Sequence, residues 1–236
     1  MVAWMGFSSP YAAELFGHLG FDAVTIDLQH GPLFIDAAIP MLQAISATPA
    51  MPMVRCSGNS FSEIGKLLDA GAYAVICPLV DSVEDARRFV SACRYPPMGT
   101  RSSGPARALL YGGPDYFDHA NQTVLTWAMI ETAQGIAQLD EICAVDGLDG
   151  VFVGPSDLSI ALGLRPQVRW TEAPLRPALE HILATAHRHG RMAGIFCTTA
   201  EMARDMRELG YDMLVLANDA VMLRGAAEQW LRIARG

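Results

Sequence analysis

Residues 22–32 read DAVTIDLQHGP, a near-continuous apolar run that ends in Asp27, Gln29 and His30 before a Gly-Pro pair stops the chain. An apolar run without polar alternation is a strand buried on both faces, as in a parallel sheet. The same signature recurs at VAWMGF (2–7), MPMVRC (51–56), AYAVICPLV (72–80), VLTWAMIE (124–131), GVFVGP (150–155), RMAGIFC (191–197) and YDMLVLA (211–217). Helical patterns lie between these runs. Ser9 followed by Pro10 suits an N-cap with Pro at the first helical position. Ser60-x-x-Glu63, Ser82-x-x-Asp85 and Thr198-x-x-Glu201 read as capping boxes. Gly20, Gly71, Gly147, Gly190 and Gly210 sit where helices should end.

Eight such units predict an α/β fold, a parallel eight-stranded (β/α)8 barrel, as a single domain over residues 1–236. A doubly wound open sheet is the alternative, but no glycine-rich dinucleotide turn follows the first strand. Residues 94–122 break the alternation. They are rich in Pro and Gly, carry Arg94, Arg101 and Arg107, and read as a long irregular segment with a functional or interface role.

Composition narrows the function. The chain has 236 residues, 51% hydrophobic and 18% charged, with a formal net charge of −8. That balance carries no basic nucleic-acid footprint, and no apolar run is long enough to cross a bilayer. The N-terminal residues have no basic region or cleavage motif of a secretory peptide. Five cysteines without CxxC spacing read as reduced thiols in a cytoplasmic core. Lys66 is the sole lysine, and it lies inside the helical pattern EIGKLLDAG, so Schiff-base chemistry has no inward-facing amine. The turns after the last two strands, CTTAE and ANDAVM, lack the glycines of a phosphate site.

In a barrel, chemistry collects at the carboxyl ends of the strands. The polar residues expected there are Asp27, Gln29, His30, Arg55, Asp81, Glu131, Gly154 to Asp157, Asn218 and Asp219. The fifth and sixth strands should pair ~4.8 Å apart, which brings Glu131 and Asp157 to one rim. Two ionised carboxylates that close call for a cation between them. A hard divalent ion with water in its other positions fits them better than zinc. The plainer reading is that each acid caps the following helix. His30 and Asp27 could equally be turn residues. Arg55 needs an anion, which a substrate or Asp27 could supply.

The ordered set DLQHGP, MVR, ICPLV, RYPPMGTRSSGPARA, MIET and FVGPSDLS resembles the HpcH/HpaI class II aldolases, which cleave and form 4-hydroxy-2-oxo acids. The resemblance implies a TIM barrel dependent on a divalent metal (Mg2+, Mn2+ or Co2+). Its substrates would be a small-molecule 2-oxo acid, pyruvate or hydroxypyruvate, and an aldehyde. It implies a homohexamer that exchanges its last helix between subunits. Glu131 and Asp157 would be the metal ligands, His30 the base and Arg55 the stabiliser of the enolate. The backbone of Gly154, Pro155 and Ser156, beside Asp157, would receive the substrate carboxylate. Asp69, in LLDAGA, would raise the basicity of a histidine. Because it ends a helix it should lie at the opposite rim, within reach of a histidine only across a subunit interface. Gln29 stands where the family usually has Glu, and Met129 where it commonly has Gln. Two other readings stay open: a citrate- or malyl-CoA-type lyase, and a barrel that binds 2-oxo acids without catalysis.

Overall fold

The computed structural model describes all residues except 167 and 168. The elements run β1 (Val2–Met5), α1 (Pro10–His18), β2 (Ala23–Asp27), α2 (Ile35–Ser46), β3 (Met51–Arg55), α3 (Phe61–Asp69), β4 (Ala74–Cys77) and α4 (Val83–Cys93). They continue with α5 (Ala108–Gly112), α6 (Tyr116–Thr123), β5 (Leu125–Ile130), α7 (Ala133–Ala137), α8 (Leu139–Cys143) and β6 (Gly150–Val153). The chain ends in α9 (Pro155–Ala161), α10 (Leu175–Arg188), β7 (Met192–Cys197), α11 (Ala200–Leu209), β8 (Met213–Leu216) and α12 (Asp219–Arg235). The strands pair in sequence order, all parallel, and β8 closes on β1. This is the (β/α)8 barrel that the apolar runs predict.

Two apolar layers hold it. Inside the barrel, Trp4, Met53, Ile76, Trp127, Met129, Phe152, Met213 and Val215 fill the lumen. Outside, alternate strand residues such as Val24, Ile26, Val54, Val75, Val151 and Ile195 pack against the helices. Burying each such side chain contributes about 1.5–3 kcal/mol. The alternation of strand side chains thus leaves both faces of every strand dry.

Several strands are shorter than their apolar runs. β1 stops at Met5 because the next two backbone N–H groups, of Gly6 and Phe7, donate to the Asp219 carboxylate at 3.0 and 2.9 Å. β4 stops at Cys77 because Pro78 has no N–H to give a ladder. Ser9, Ser60 and Ser82 cap their helices as expected. The box expected at Thr198 is shifted by one residue: Thr199 is the N-cap of α11 and accepts from Met202 N–H at 3.1 Å.

The segment 94–122 is more regular than its composition suggests, since it holds α5 and α6. Its arginines tie it down. Arg94 is buried and donates to the carbonyls of Val124 and Gly147 and to Asp149. Arg101 pairs with Asp69 at 2.8 Å, donates to the Tyr116 hydroxyl, and lies over the Tyr95 ring. Among the described residues no helix is long and apolar enough to cross a membrane. Lys66 is exposed on α3, as its helical pattern predicts.

Candidate active site

Registry alone brings the first polar group together. Asp27 and Arg55 are direct partners in the β2–β3 ladder, and both side chains point into the lumen. Arg55 grips Asp27 through two hydrogen bonds, Nε to Oδ1 at 2.8 Å and Nη2 to Oδ2 at 2.5 Å. Both side chains are buried. Trp4 Nε1 donates to Asp27 Oδ2 at 3.1 Å, and the Arg55 guanidinium lies 4.9 Å from the centre of the Trp4 ring. The backbone N–H groups of Gln29 and His30 also donate to Asp27 Oδ1. Burial by itself would raise the Asp27 carboxyl, but the bonds and charge of Arg55, helped by Trp4 and His30, outweigh it and hold the carboxyl below its usual range. The ion pair weighed from the sequence is therefore present, and it lies in the cavity wall.

The turn after β2 presents His30. Gly31 lets the chain pass because a Cβ there would stand 2.4 Å from the Asp27 carbonyl. His30 is exposed, and its ring makes no hydrogen bond among the described residues. A side chain used only to build a turn would be tied to backbone. Here the turn is built by Asp27 and the His30 main chain instead.

Glu131 follows β5 and is 2% exposed. Its Oε1 accepts from Leu79 N–H at 3.0 Å, while Oε2 is buried with no partner. Leu79 holds that N–H in place with a left-handed backbone, φ +52. Burial pushes the Glu131 carboxyl up to about 7, with the negative charges of Asp157 and Asp81 adding to it against the Leu79 bond and Arg55. Asp157 lies in the first turn of α9 and faces the cavity. Neither acid is a helix cap: Thr132 caps α7, and α9 starts without a side-chain cap. The capping alternative fails for both.

Asp27, His30, Arg55 and Asp157 line a cavity of about 170 Å³ at the carboxyl ends of the strands; Glu131 lies behind its wall. Its lining mixes polar side chains, Asp27, His30, Arg55, Ser156, Asp157 and Asn218, with apolar ones, Trp4, Met129, Phe152, Pro155 and Phe196. Trp4, Phe152 and Phe196 escaped the sequence reading because apolar residues on strands look like core. Their inward parity along each strand is the signal that could have found them. Asp69 is not in this cavity. It ends α3 at the opposite rim, bonded to Arg101, so one chain does not bring it to His30.

A divalent cation fits this corner. The orphaned Glu131 oxygen is a costly buried acceptor, and a cation shared with Asp157 would satisfy it and relieve the repulsion. Among the described residues no cluster of three or more His, Cys, Asp and Glu could hold a metal. The protein thus offers two carboxylates, and water or substrate oxygens would complete the shell, the pattern of a hard ion such as Mg2+. Gly154 is part of the corner, because a Cβ there would stand 2.6 Å from Glu131 Oε2 and 2.5 Å from Met129 Cε. Gly154→Ala is expected to displace Glu131 and to weaken divalent-ion binding about tenfold or more, as titration calorimetry would measure.

Fold and cavity together define a barrel enzyme whose chemistry sits at the carboxyl rim of its strands. The HpcH/HpaI aldolase/citrate lyase family model matches residues 1–226, and the chain belongs to that family. It is 43% identical over 235 residues to a hydroxypyruvate/pyruvate aldolase of Rhizorhabdus wittichii, covering 100% of this chain and 94% of the relative. It is 36% identical to a 4-hydroxy-2-oxo-heptane-1,7-dioate aldolase of Escherichia coli, over 95% of this chain and 86% of the relative. A crystal structure of an HpcH/HpaI aldolase/citrate lyase family protein from Burkholderia cenocepacia superposes with a TM-score of 0.93 at 32% identity, covering 100% of this chain and 94% of that one.

Proposed function

We propose that this chain is a divalent-metal-dependent class II aldolase that reversibly cleaves 4-hydroxy-2-oxo acids to pyruvate or hydroxypyruvate and an aldehyde. The observation that carries the proposal is the partnerless Glu131 oxygen, beside Asp157 and next to the cavity that holds His30 and Arg55. The activities named for the two aldolase relatives support it.

A cation held by Glu131 and Asp157 would supply Lewis-acid withdrawal of electrons from the 2-oxo acid. The remaining work falls to side chains. The unencumbered His30 ring removes a proton from C3 of the oxo acid. Arg55 answers the negative charge that develops on the ketone oxygen. Asp27 takes the Nε N–H and one Nη2 N–H, so Nη1, which meets only the Met129 sulfur at 3.9 Å, and the second Nη2 N–H are the donors left for substrate. The backbone from Gly154 to Ser156 receives the substrate carboxylate. The enolate then attacks the aldehyde, and cleavage runs the same steps in reverse. Gln29 and Met129 leave this set of roles intact and bear on substrate preference.

Assembly follows the same reading. α12 leaves Leu223, Trp230 and Ile233 exposed, which supports packing of this helix against a second copy in a hexamer. Only such a copy could bring an Asp69 near His30. Five unpaired buried thiols suit a reducing cytoplasm.

Aldol turnover with pyruvate and glycolaldehyde, before and after chelation, tests the proposal. Activity should vanish in excess EDTA and return with Mg2+, Mn2+ or Co2+. Full activity in EDTA, or in Glu131→Ala, would overturn it.

A further inference from the structure

The loop after β8 carries a side chain that the chemistry above leaves unused. Asn218 lines the active-site cavity. It is also the N-cap of α12, where its Oδ1 accepts from Val221 N–H at 2.9 Å. A cap needs one acceptor oxygen, and Ser, Thr or Asp would supply it as well. Asparagine adds an NH2 group with two donors. Among the described residues the Asn218 amide nitrogen has no hydrogen-bond partner.

The backbone on both sides holds this amide in place. Ala217 N–H donates to the Cys197 carbonyl at 2.8 Å and so extends the β7–β8 ladder. Ala217 then turns the chain with a left-handed backbone, φ +43, which a residue with a Cβ adopts only where its surroundings enforce it. After Asn218, the buried Asp219 carboxylate accepts from the N–H groups of Gly6, Phe7 and Ala220. The start of α12 is thereby tied to the end of β1.

Its place around the rim says which reactant it meets. Closure of the barrel puts β8 between β7 and β1. Arg55, Glu131 and Gly154 to Ser156, which serve the oxo acid, stand at the ends of β3, β5 and β6. Beside Asn218, β7 and β1 present Phe196 and Trp4, packed edge to face at 5.5 Å. The Trp4 N–H is already given to Asp27. This sector therefore offers carbon surface and, at its rim, a neutral donor.

We infer that Asn218 is a specificity residue for the aldehyde partner, its Nδ2 donating to a hydroxyl on the carbon next to the aldehyde carbon. The inference rests on the aldolase reading above. The oxo acid fills the β3 to β6 side, and the aldehyde enters on the side of β7, β8 and β1. Its carbons lie on Trp4 and Phe196, and its hydroxyl reaches the amide. An aldehyde with hydrogen in place of that hydroxyl leaves the donor without a partner, which weakens binding. No bond forms or breaks at Asn218.

Glycolaldehyde and acetaldehyde test this, since both have two carbons and they differ only in that hydroxyl. Asn218→Ser keeps an oxygen for the cap but withdraws the donor from the cavity. With pyruvate as partner, the ratio of kcat/KM for glycolaldehyde to that for acetaldehyde should fall about fivefold relative to the parent, while the melting temperature holds. Asn218→Leu loses cap and donor together, so its ratio should fall as in the serine variant and its melting temperature should fall as well. A parental ratio in the serine variant would overturn the assignment. Equal losses on both aldehydes would do the same, because a cap, or a donor to the reacting oxygen, acts on every aldehyde alike. Exchange of the pyruvate C3 protons in deuterated water by the parent is measured alongside. If exchange is absent, the aldolase reading itself fails; if exchange occurs and the ratio does not move, only the role of Asn218 fails.

Discussion

Replacing Arg55 with leucine is expected to destabilise the protein by about 3–5 kcal/mol and to lower aldol turnover by about 10^2-fold or more. The stability loss comes from Asp27. Its carboxylate is 5% exposed and depends on two bonds from Arg55. With the guanidinium gone, an ionised carboxylate is left in the lumen with the indole N–H and two backbone N–H groups only. The double variant Arg55→Leu, Asp27→Asn removes the stranded charge and should recover most of the stability but none of the turnover. Urea unfolding and pyruvate aldol assays separate the two effects. If the single variant proves as stable as the parent, the buried pair contributes no net attraction. If the double variant regains turnover, Arg55 has no part in the chemistry.

The second large effect is electrostatic and has a definite sign. Glu131 titrates at about 7 in the folded chain against 4.5 for the free side chain. Between those values the folded state binds more protons than the unfolded state, so folding stability falls as pH rises. The loss should total about 3 kcal/mol across that window in metal-free protein and level off above it. Asp27 works in the opposite sense and elsewhere on the scale. Its depressed carboxyl stabilises the fold above about 4 and loses that contribution as pH drops below it. The difference between the parent and Glu131→Gln therefore isolates Glu131. The variant keeps an oxygen for Leu79 N–H but carries no ionisable proton, so its stability should stay level between pH 5 and 8. Added Mg2+ at pH 8 should raise the melting temperature of the parent and leave that of the variant unmoved. A parent as level as the variant would mean that Glu131 is better solvated than its burial implies.

The placement of the polar residues at one rim was legible before the fold was known, because strand ends are local features. His30, Arg55, Glu131 and Asp157 each lie at the end of an apolar run or within a few residues of it, and the barrel rule assigns such positions to one rim. Reading the caps was less secure, as Thr199 shows. Thr198 fits the box through Glu201 and Thr199 does not, since Met202 stands at its third position, yet the extended backbone at Thr199 makes it the cap. The segment 94–122 misled for a related reason. Its prolines and glycines mark turns, but buried Arg101 and the rings of Tyr95 and Tyr116 hold two short helices between those turns.

What the sequence determined by itself was the number of strands, their parallel arrangement and the polar residues at their ends, since periodicity and capping depend on neighbours a few positions apart. Tertiary structure alone decided which of those residues meet. Closure of β8 on β1 sets Asp219 against Gly6 and Phe7, 213 and 212 residues away. Register between β1, β2 and β3 locks Trp4, Asp27 and Arg55 into one cluster. The left-handed Leu79 takes one Glu131 oxygen and leaves the other bare. Such meetings depend on strand stagger and loop path in three dimensions, which no local pattern of residues encodes.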